Sequence, residues 1–305
     1  MKSGFKSAFF IASMIISWSV YYAVSKVIVN ACGSAFAGGF LLRSAAFLFL
    51  TIQLAATGGL KQLFSCGSTV KLLLLVGLLG FSQDILANLG YASGSLSTGT
   101  ALLKTDVIMA NLVTVIVYKK KLYLSDWVGT ALMLIGVFMV MGLSFRDMSF
   151  HPGDIFFILS AAALTANAFV VKAVQRDPRV STDTISYYNN FLVMTLSFCG
   201  AFATGAMSFS AIGDVISNYL PLILLGGLAQ TGVYFFYYRN LSTREVWTVK
   251  LYLLLIPICS LFIGVFLLDE MLTVAKILGI FIILAGSALI LLREKLNRTE
   301  GRSNE

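Results

Sequence analysis

A chain of 305 residues, 58% of them hydrophobic and only 12% charged, has too little polar surface to cover itself as a soluble globule. Soluble domains carry about 25% charged residues, and here the mean hydropathy reaches +0.88. The net charge of +8 does not point to nucleic acid, because the basic residues sit in short connectors between apolar segments.

Taken in chain order, the sequence predicts ten segments of about the 20 apolar residues that a bilayer core requires. They cover roughly 7–29, 35–57, 70–90, 96–118, 124–143, 154–175, 184–206, 217–238, 246–268 and 272–292. The first, within "MKSGFKSAFFIASMIISWSVYYAV", is long enough to span and lacks a small-x-small cleavage pattern, so it reads as a retained helix rather than a signal peptide. The connectors are short and leave no room for a soluble domain, and the polar tail after Arg293 is expected to fray. His151, the single histidine, falls in a connector, and Cys32, Cys66, Cys199 and Cys259 show no paired spacing, which leaves little material for a metal centre or a catalytic triad.

Placing the N-terminus in the cytoplasm puts sixteen basic residues on the inside, among them Lys61, Lys119, Lys120, Lys121, Arg176 and Arg239, against Arg146 alone outside. The positive-inside preference therefore predicts a multi-pass protein of the cytoplasmic membrane with both termini cytoplasmic.

Sliding the chain on itself by 150 residues lays "LYLSDWVGTALMLIGVFMV" (122–140) over "LTVAKILGIFIILAGSALI" (272–290), with Gly129 on Gly279 and Gly136 on Gly286. A shift of 146 lays Lys26 over Lys172. A five-helix unit has an odd count, so its second copy must enter the membrane inverted. The expected organisation is an N-terminal repeat over 1–145, a C-terminal repeat over 150–293 and a cytoplasmic tail over 294–305. Such an all-α architecture is a recurrent plan of secondary transporters, with the substrate site between the halves.

Four charges fall at one depth of the first half: Arg43 in the second helix, Asp84 in the third, Lys104 and Asp106 in the fourth. At 1.5 Å per residue they lie roughly 9–15 Å from the outer face. Each would cost about 2.5–3.5 kcal/mol unpaired at the bilayer centre, so mutual pairing in a polar cavity is expected. A locking network and the wall of a site are equally open readings of the four. Lys250, near the start of the ninth helix, either snorkels to the interface or pairs with Glu245, or else faces the cavity as a contact for a carboxylate or phosphate. Pro257, the one proline well inside an expected span, cannot donate to the carbonyl of Leu253 and predicts a bend there, as a gating hinge or a static kink. Tyr234, Tyr21 and Tyr22 are candidates for lining the cavity, whereas Tyr238 reads as an interfacial belt residue. Asn189 and Asn190 overlay Arg43 under the repeat shift, so the second half offers amides where the first offers charge.

The stretch "YYRNLSTREVWTVKLYLLLIPICSLFIGVFLLDEMLTVAKILGIFIILAGSALI" resembles the C-terminal repeat of EamA-type members of the drug/metabolite transporter superfamily, through Pro257, Glu270, Leu272, Gly279 and Gly286. "SWSVYYAVSK" (17–26) is similar to that family's first helix. The first repeat departs from the pattern, with Val107 where a proline is usual and Lys120 where a glutamate is usual. The resemblance implies ten helices and movement of small metabolites by alternating access. It also implies a cavity lined by the first, third, fourth, sixth, eighth and ninth helices.

The expected function is a secondary transporter for a small polar metabolite: amino-acid-like, an organic anion or a zwitterion. The alternative is a transporter of organic or quaternary-ammonium cations held by an aromatic lining. Its partners are the small-molecule solute and the lipid bilayer. Coupling to protons, through Asp84 or Asp106, and exchange against a counter-transported solute are equally open. No cofactor is expected, and the lack of a His-rich set or phosphate-cradling glycine motif disfavours a membrane-embedded enzyme. The absence of sizeable loops disfavours a scaffold.

Overall fold

The computed structural model describes residues 2–64, 66–93, 102–140, 154–206, 209–259, 262–263 and 273–303. Their secondary structure is helical, in ten α-helices: α1 (Lys2–Cys32), α2 (Ala35–Ala56), α3 (Val70–Ser93), α4 (Asp106–Ile116), α5 (Leu124–Val140), α6 (Asp154–Val174), α7 (Thr182–Ala203), α8 (Phe209–Thr243), α9 (Val246–Leu253) and α10 (Val274–Ser303). Two 3₁₀ turns, Gly59–Phe64 and Gly67–Thr69, bridge α2 to α3. The helix ends follow local chemistry. Gly33 adopts φ +60° to close α1, and the hydroxyl of Ser34 accepts from the Ala37 N–H to start α2. Among the described residues, five segments are long and apolar enough to cross a membrane: Ser7–Cys32, Ala35–Ala56, Gly67–Ala87, Ile155–Val174 and Ile212–Thr243.

Two expectations change. The polar tail does not fray at Arg293: α10 continues to Ser303, through helix-forming Leu, Arg, Glu and Lys. And α8 begins at Phe209 rather than 217, so Pro221 lies well inside a helix of 35 residues and Pro257 is not the only intrahelical proline. At 1.5 Å per residue α8 measures about 52 Å, longer than a hydrocarbon core of about 30 Å, so it extends beyond the apolar layer.

Contacts between helices follow a two-fold pattern. With α1–α5 taken as mates of α6–α10, α5 packs on α10 and α2 on α7, while α1 pairs with α8 and α6 with α3. The seam between α5 and α10 shows why. A Cβ on Gly136 would stand 2.6 Å from the Gly279 carbonyl oxygen, and one on Gly286 would stand 2.7 Å from that of Gly129. Each glycine thus packs on the mate of the other, which antiparallel helices about a two-fold axis produce. Side chains at these positions would force the backbones apart; small residues are the usual device for close helix contact within membranes. Similarly, Gly77 of α3 packs on Leu192 of α7, and Gly227 of α8 packs on Ala45 of α2.

The two-fold relation extends to defects. Leading into α4, residues 102–103 are helical, Lys104–Thr105 form a turn, and the helix resumes at Asp106. After α9, a turn at 254–255 precedes a resumed helix at 256–259, and the two turns are 150 residues apart. Both carry the tightened bond of a 3₁₀ turn, Thr105 N–H to Leu102 O at 3.0 Å and Leu255 N–H to Tyr252 O at 3.1 Å. Pro257 contributes to the second break, but the first forms with Val107 in the matching place, so proline is not required for it.

The end of the molecule bearing the basic connectors is closed by polar links between the repeats. Lys120 pairs with Glu245 at 2.5 Å, Thr69 donates to Asp177 at 2.5 Å, Arg244 donates to Ser7, and the Tyr188 hydroxyl reaches the Leu63 carbonyl at 2.9 Å. Hydrogen bonds from Arg179 and Thr69 hold the Asp177 carboxyl well below the usual carboxylate range, so this link stays ionised far into acid. The ammonium of Lys172 caps the carbonyl end of α8 at Leu241 and Arg244, where a cation is favoured by the helix dipole.

Gly136→Ala is expected to lower the thermal unfolding midpoint of the purified protein, with an overpacking penalty of about 1–3 kcal/mol. Gly213→Ala, whose Cβ would meet nothing within 4 Å, is the control and is expected to leave the midpoint unchanged or raise it.

Candidate functional site

Between the repeats lies a cavity that opens to the surface. Its described lining comes from α1, α2 and α3 of the first repeat and from their mates α6, α7 and α8. Among the described residues, α4 and α9 pack on each other and contribute none of the cavity's walls; residues 96–101, 260–261 and 264–268 of the expected fourth and ninth segments lie outside the described residues.

Arg43, 6% exposed, organises the cavity. Its Nη2 donates to Asp84 Oδ2 at 2.9 Å and its Nη1 to the Tyr234 hydroxyl at 2.5 Å. Its guanidinium carbon lies 5.5 Å from the ring centre of Tyr21 and 5.7 Å from that of Tyr234. Asp84 keeps 34% of its side chain open. With α3 and α8 aligned at the 150-residue shift that also pairs Gly77 with Gly227, Tyr234 is the repeat mate of Asp84. One arginine is thus held by a residue and its mate.

Opposite, Asn189 donates from Nδ2 to the Tyr238 hydroxyl at 2.5 Å, and a Cβ on Gly80 would come within 2.5 Å of Asn189 Oδ1. Three buried polar atoms of the lining have no hydrogen-bond partner: Arg43 Nε, Asn189 Oδ1 and the Tyr237 hydroxyl. Buried polar groups are normally satisfied, so these atoms keep hydrogen-bonding capacity unused within the protein. Trp18 and Tyr22 add aromatic wall.

The four charges expected at one depth do not form one network. Arg43 and Asp84 face the cavity, whereas Asp106 Oδ2 pairs with Lys250 Nζ at 2.8 Å across the repeats. Lys250 is 0% exposed. It neither snorkels nor pairs with Glu245, which takes Lys120 instead, and it does not line the cavity. Lys104 is half-buried and makes no ion pair among the described residues. Asn190 turns from the cavity and donates to the Arg43 carbonyl at 2.9 Å, fixing the backbone of that residue. Tyr238 is no belt residue: it is buried in the lining, because α8 continues past it to Thr243. Gln230 and Tyr237, which sequence reasoning does not single out, also line the cavity. The signal is present: Gln230, Tyr234, Tyr237 and Tyr238 recur at the i, i+4, i+7, i+8 spacing of one helix face. Pro257 lies just after the turn at 254–255, where the bend is expected. Glu270 and Leu272, two residues of the resemblance, fall outside the described residues.

A model of the EamA-like transporter family matches residues 5–142 and, a second time, residues 151–292. The chain belongs to the EamA-like transporter family. This EamA-like protein is therefore a membrane transporter with two EamA repeats, and the two-fold helix contacts are the repeats packed on each other. A crystal structure of another protein matches it with a TM-score of 0.73 at 13% identity, over 92% of this chain and 98% of that one; at that identity the likeness concerns the fold. None of the curated proteins matches the sequence.

In this EamA-like transporter, Arg43→Met leaves Asp84 as an acid without its cation. The expected cost is on the order of 2–4 kcal/mol, below that of a fully sealed pair because Asp84 is partly open. Arg43→Met with Asp84→Asn is expected to recover most of the loss. Unfolding midpoints of both single variants and of the double variant measure the difference, and losses that simply add would show that the pair contributes nothing jointly.

Proposed function

We propose that the protein is a secondary transporter of a small zwitterionic metabolite of amino-acid type, moving it by alternating access across the cytoplasmic membrane. Ten membrane segments in two oppositely oriented repeats, with both termini in the cytoplasm, complete the reading. The asymmetry of basic connectors supports this orientation.

The observation that carries the substrate class is the charge of the described cavity lining. It contains one cation, Arg43, and one anion, Asp84, bonded to each other. Their sum is zero. A solute with net charge would leave an uncompensated charge in surroundings of low dielectric, where desolvation is costly. A zwitterion adds no net charge and matches both poles: its carboxylate meets the unpartnered Arg43 Nε–H, and its ammonium meets the open face of Asp84. Asn189 Oδ1 is a further acceptor for the ammonium, and the aromatic walls suit an apolar side group. The organic-cation reading is weaker for a specific reason. The Arg43 guanidinium already lies over two of the aromatic faces that such a cation would use, those of Tyr21 and Tyr234.

The test is thermal stabilisation of the purified protein by free α-amino acids, by their methyl esters as cations, and by their N-acetyl derivatives as anions. A ligand present at about 100 times its Kd stabilises by roughly 2.7 kcal/mol, a readily measured shift. Some of the free amino acids are expected to stabilise while their two derivatives do not, and Asp84→Asn is expected to abolish the effect. Protection by esters or quaternary amines alone would overturn the zwitterion in favour of a cation. Uptake of the stabilising amino acid into vesicles containing the protein then measures transport itself.

A further inference from the structure

Among the described ion pairs, Lys250–Asp106 is the most deeply buried, and it lies outside the cavity. It joins α9 of the second repeat to α4 of the first, and both partners are nearly sealed, at 0% and 5% side-chain exposure. An ion pair in that position is an expensive way to join two apolar helices, since packed hydrophobic residues would serve as well or better. Its location suggests what it does. Segment Val246–Leu253 is a short rigid rod that ends at the turn over 254–255. That rod is pinned at two points: at its start by Lys120–Glu245 and at its middle by Lys250–Asp106. Its start continues directly from the end of α8, where Arg244 binds Ser7 and Lys172 caps the last carbonyls. The rod is therefore mechanically part of the closure at the basic end, with a ready bending point behind it.

We propose that Val246–Leu253 is the moving arm of that closure and that Lys250–Asp106 is its latch: a positioning pair that parts when the basic end opens. The proposal rests on the alternating-access reading given above, though not on the identity of the solute. Tyr237 connects the latch to the cavity. It belongs to the cavity wall, while its hydroxyl lies beside the Lys250 ammonium. A solute displacing Tyr237 thus acts on the cation of the pair. Lys104 makes the parting feasible. It sits in the unwound turn two residues before Asp106, so the carboxylate keeps a cation close by when Lys250 moves away, instead of being stranded in an apolar interior.

Hydrogen–deuterium exchange of the full chain in lipid nanodiscs, followed by mass spectrometry and without added solute, tests this. In Lys250→Met and in Asp106→Asn, peptides covering 59–69 and 240–246 are expected to exchange faster than in the wild type, while those in 129–140 and 274–290 keep their protection. The exchanged pair, Lys250→Asp with Asp106→Lys, is expected to restore slow exchange at 59–69 and 240–246. Wild-type exchange in both single variants overturns the latch. So does faster exchange everywhere, which is the mark of a pair that merely holds the scaffold. If neither single variant folds, the exchanged pair decides alone: protection at the basic end equal to wild type sustains the latch, and its loss overturns it. None of these results depends on which solutes stabilise the protein, so failure here is distinguishable from failure of the zwitterion reading.

Discussion

In a medium that solvates ions poorly, a buried charge is costly unless paired, and two buried ion pairs divide the interior of this protein into two regions. Arg43 and Asp84 are answered within one repeat and left partly open to a cavity. Lys250 and Asp106 are answered across the repeats and sealed. The difference in exposure matters more than the difference in partners. An open pair can exchange its partner for a solute of the same charges, whereas a sealed one can change only when the helices carrying it move. The proposed roles in binding and in movement thus rest on different ion pairs, with Tyr237 between them.

The scaffold around these pairs is nearly symmetric and the chemistry is not. Gly129, Gly136, Gly279 and Gly286 meet in a reciprocal seam, and the two helix breaks lie at matching positions. Yet the mate of Asp84 is a tyrosine, the mate of Lys250 is Thr100, and Asn190, which overlays Arg43, serves it as a backbone support. Packing is set by shape, so both copies must keep small residues where backbones approach. Charge is limited by the cost of burial, and the described cavity lining carries one ion pair. Duplication therefore leaves the steric residues in pairs and the ionic ones single.

The same distinction governs what the sequence can disclose. Glycines at a fixed shift, apolar runs of bilayer length and a bend near Pro257 are local or repeated features, and each is legible in the order of residues alone. The partners of the charges are not. Arg43, Asp84, Lys104 and Asp106 share a depth, but depth does not fix rotation about a helix axis, and in a uniformly apolar span no hydrophobic stripe reveals it. Lys250 points by sequence to the interface or to the cavity because its partner, Asp106, lies 144 residues away on a helix whose course is bent by the break at Lys104–Thr105. Tyr238 looks interfacial only as long as α8 is expected to end beside it. The stripe of Gln230, Tyr234, Tyr237 and Tyr238 is visible, since polar and aromatic residues at helical spacing stand out where nearly everything else is aliphatic.

A break without a proline carries a consequence of its own. If Pro257 alone caused the turn at 254–255, the mate helix with Val107 would run straight, and the two repeats would bend differently. They do not. The turn belongs to the paired helices α4 and α9, each of which loses its regular bonding at the same repeat position. Proline then strengthens only one side of a feature the fold already has, by removing the N–H that would otherwise repair the helix beyond Leu253. The repeat carrying the proline also bears Lys250, so the break at 254–255 and the cation of the sealed pair lie on the same span.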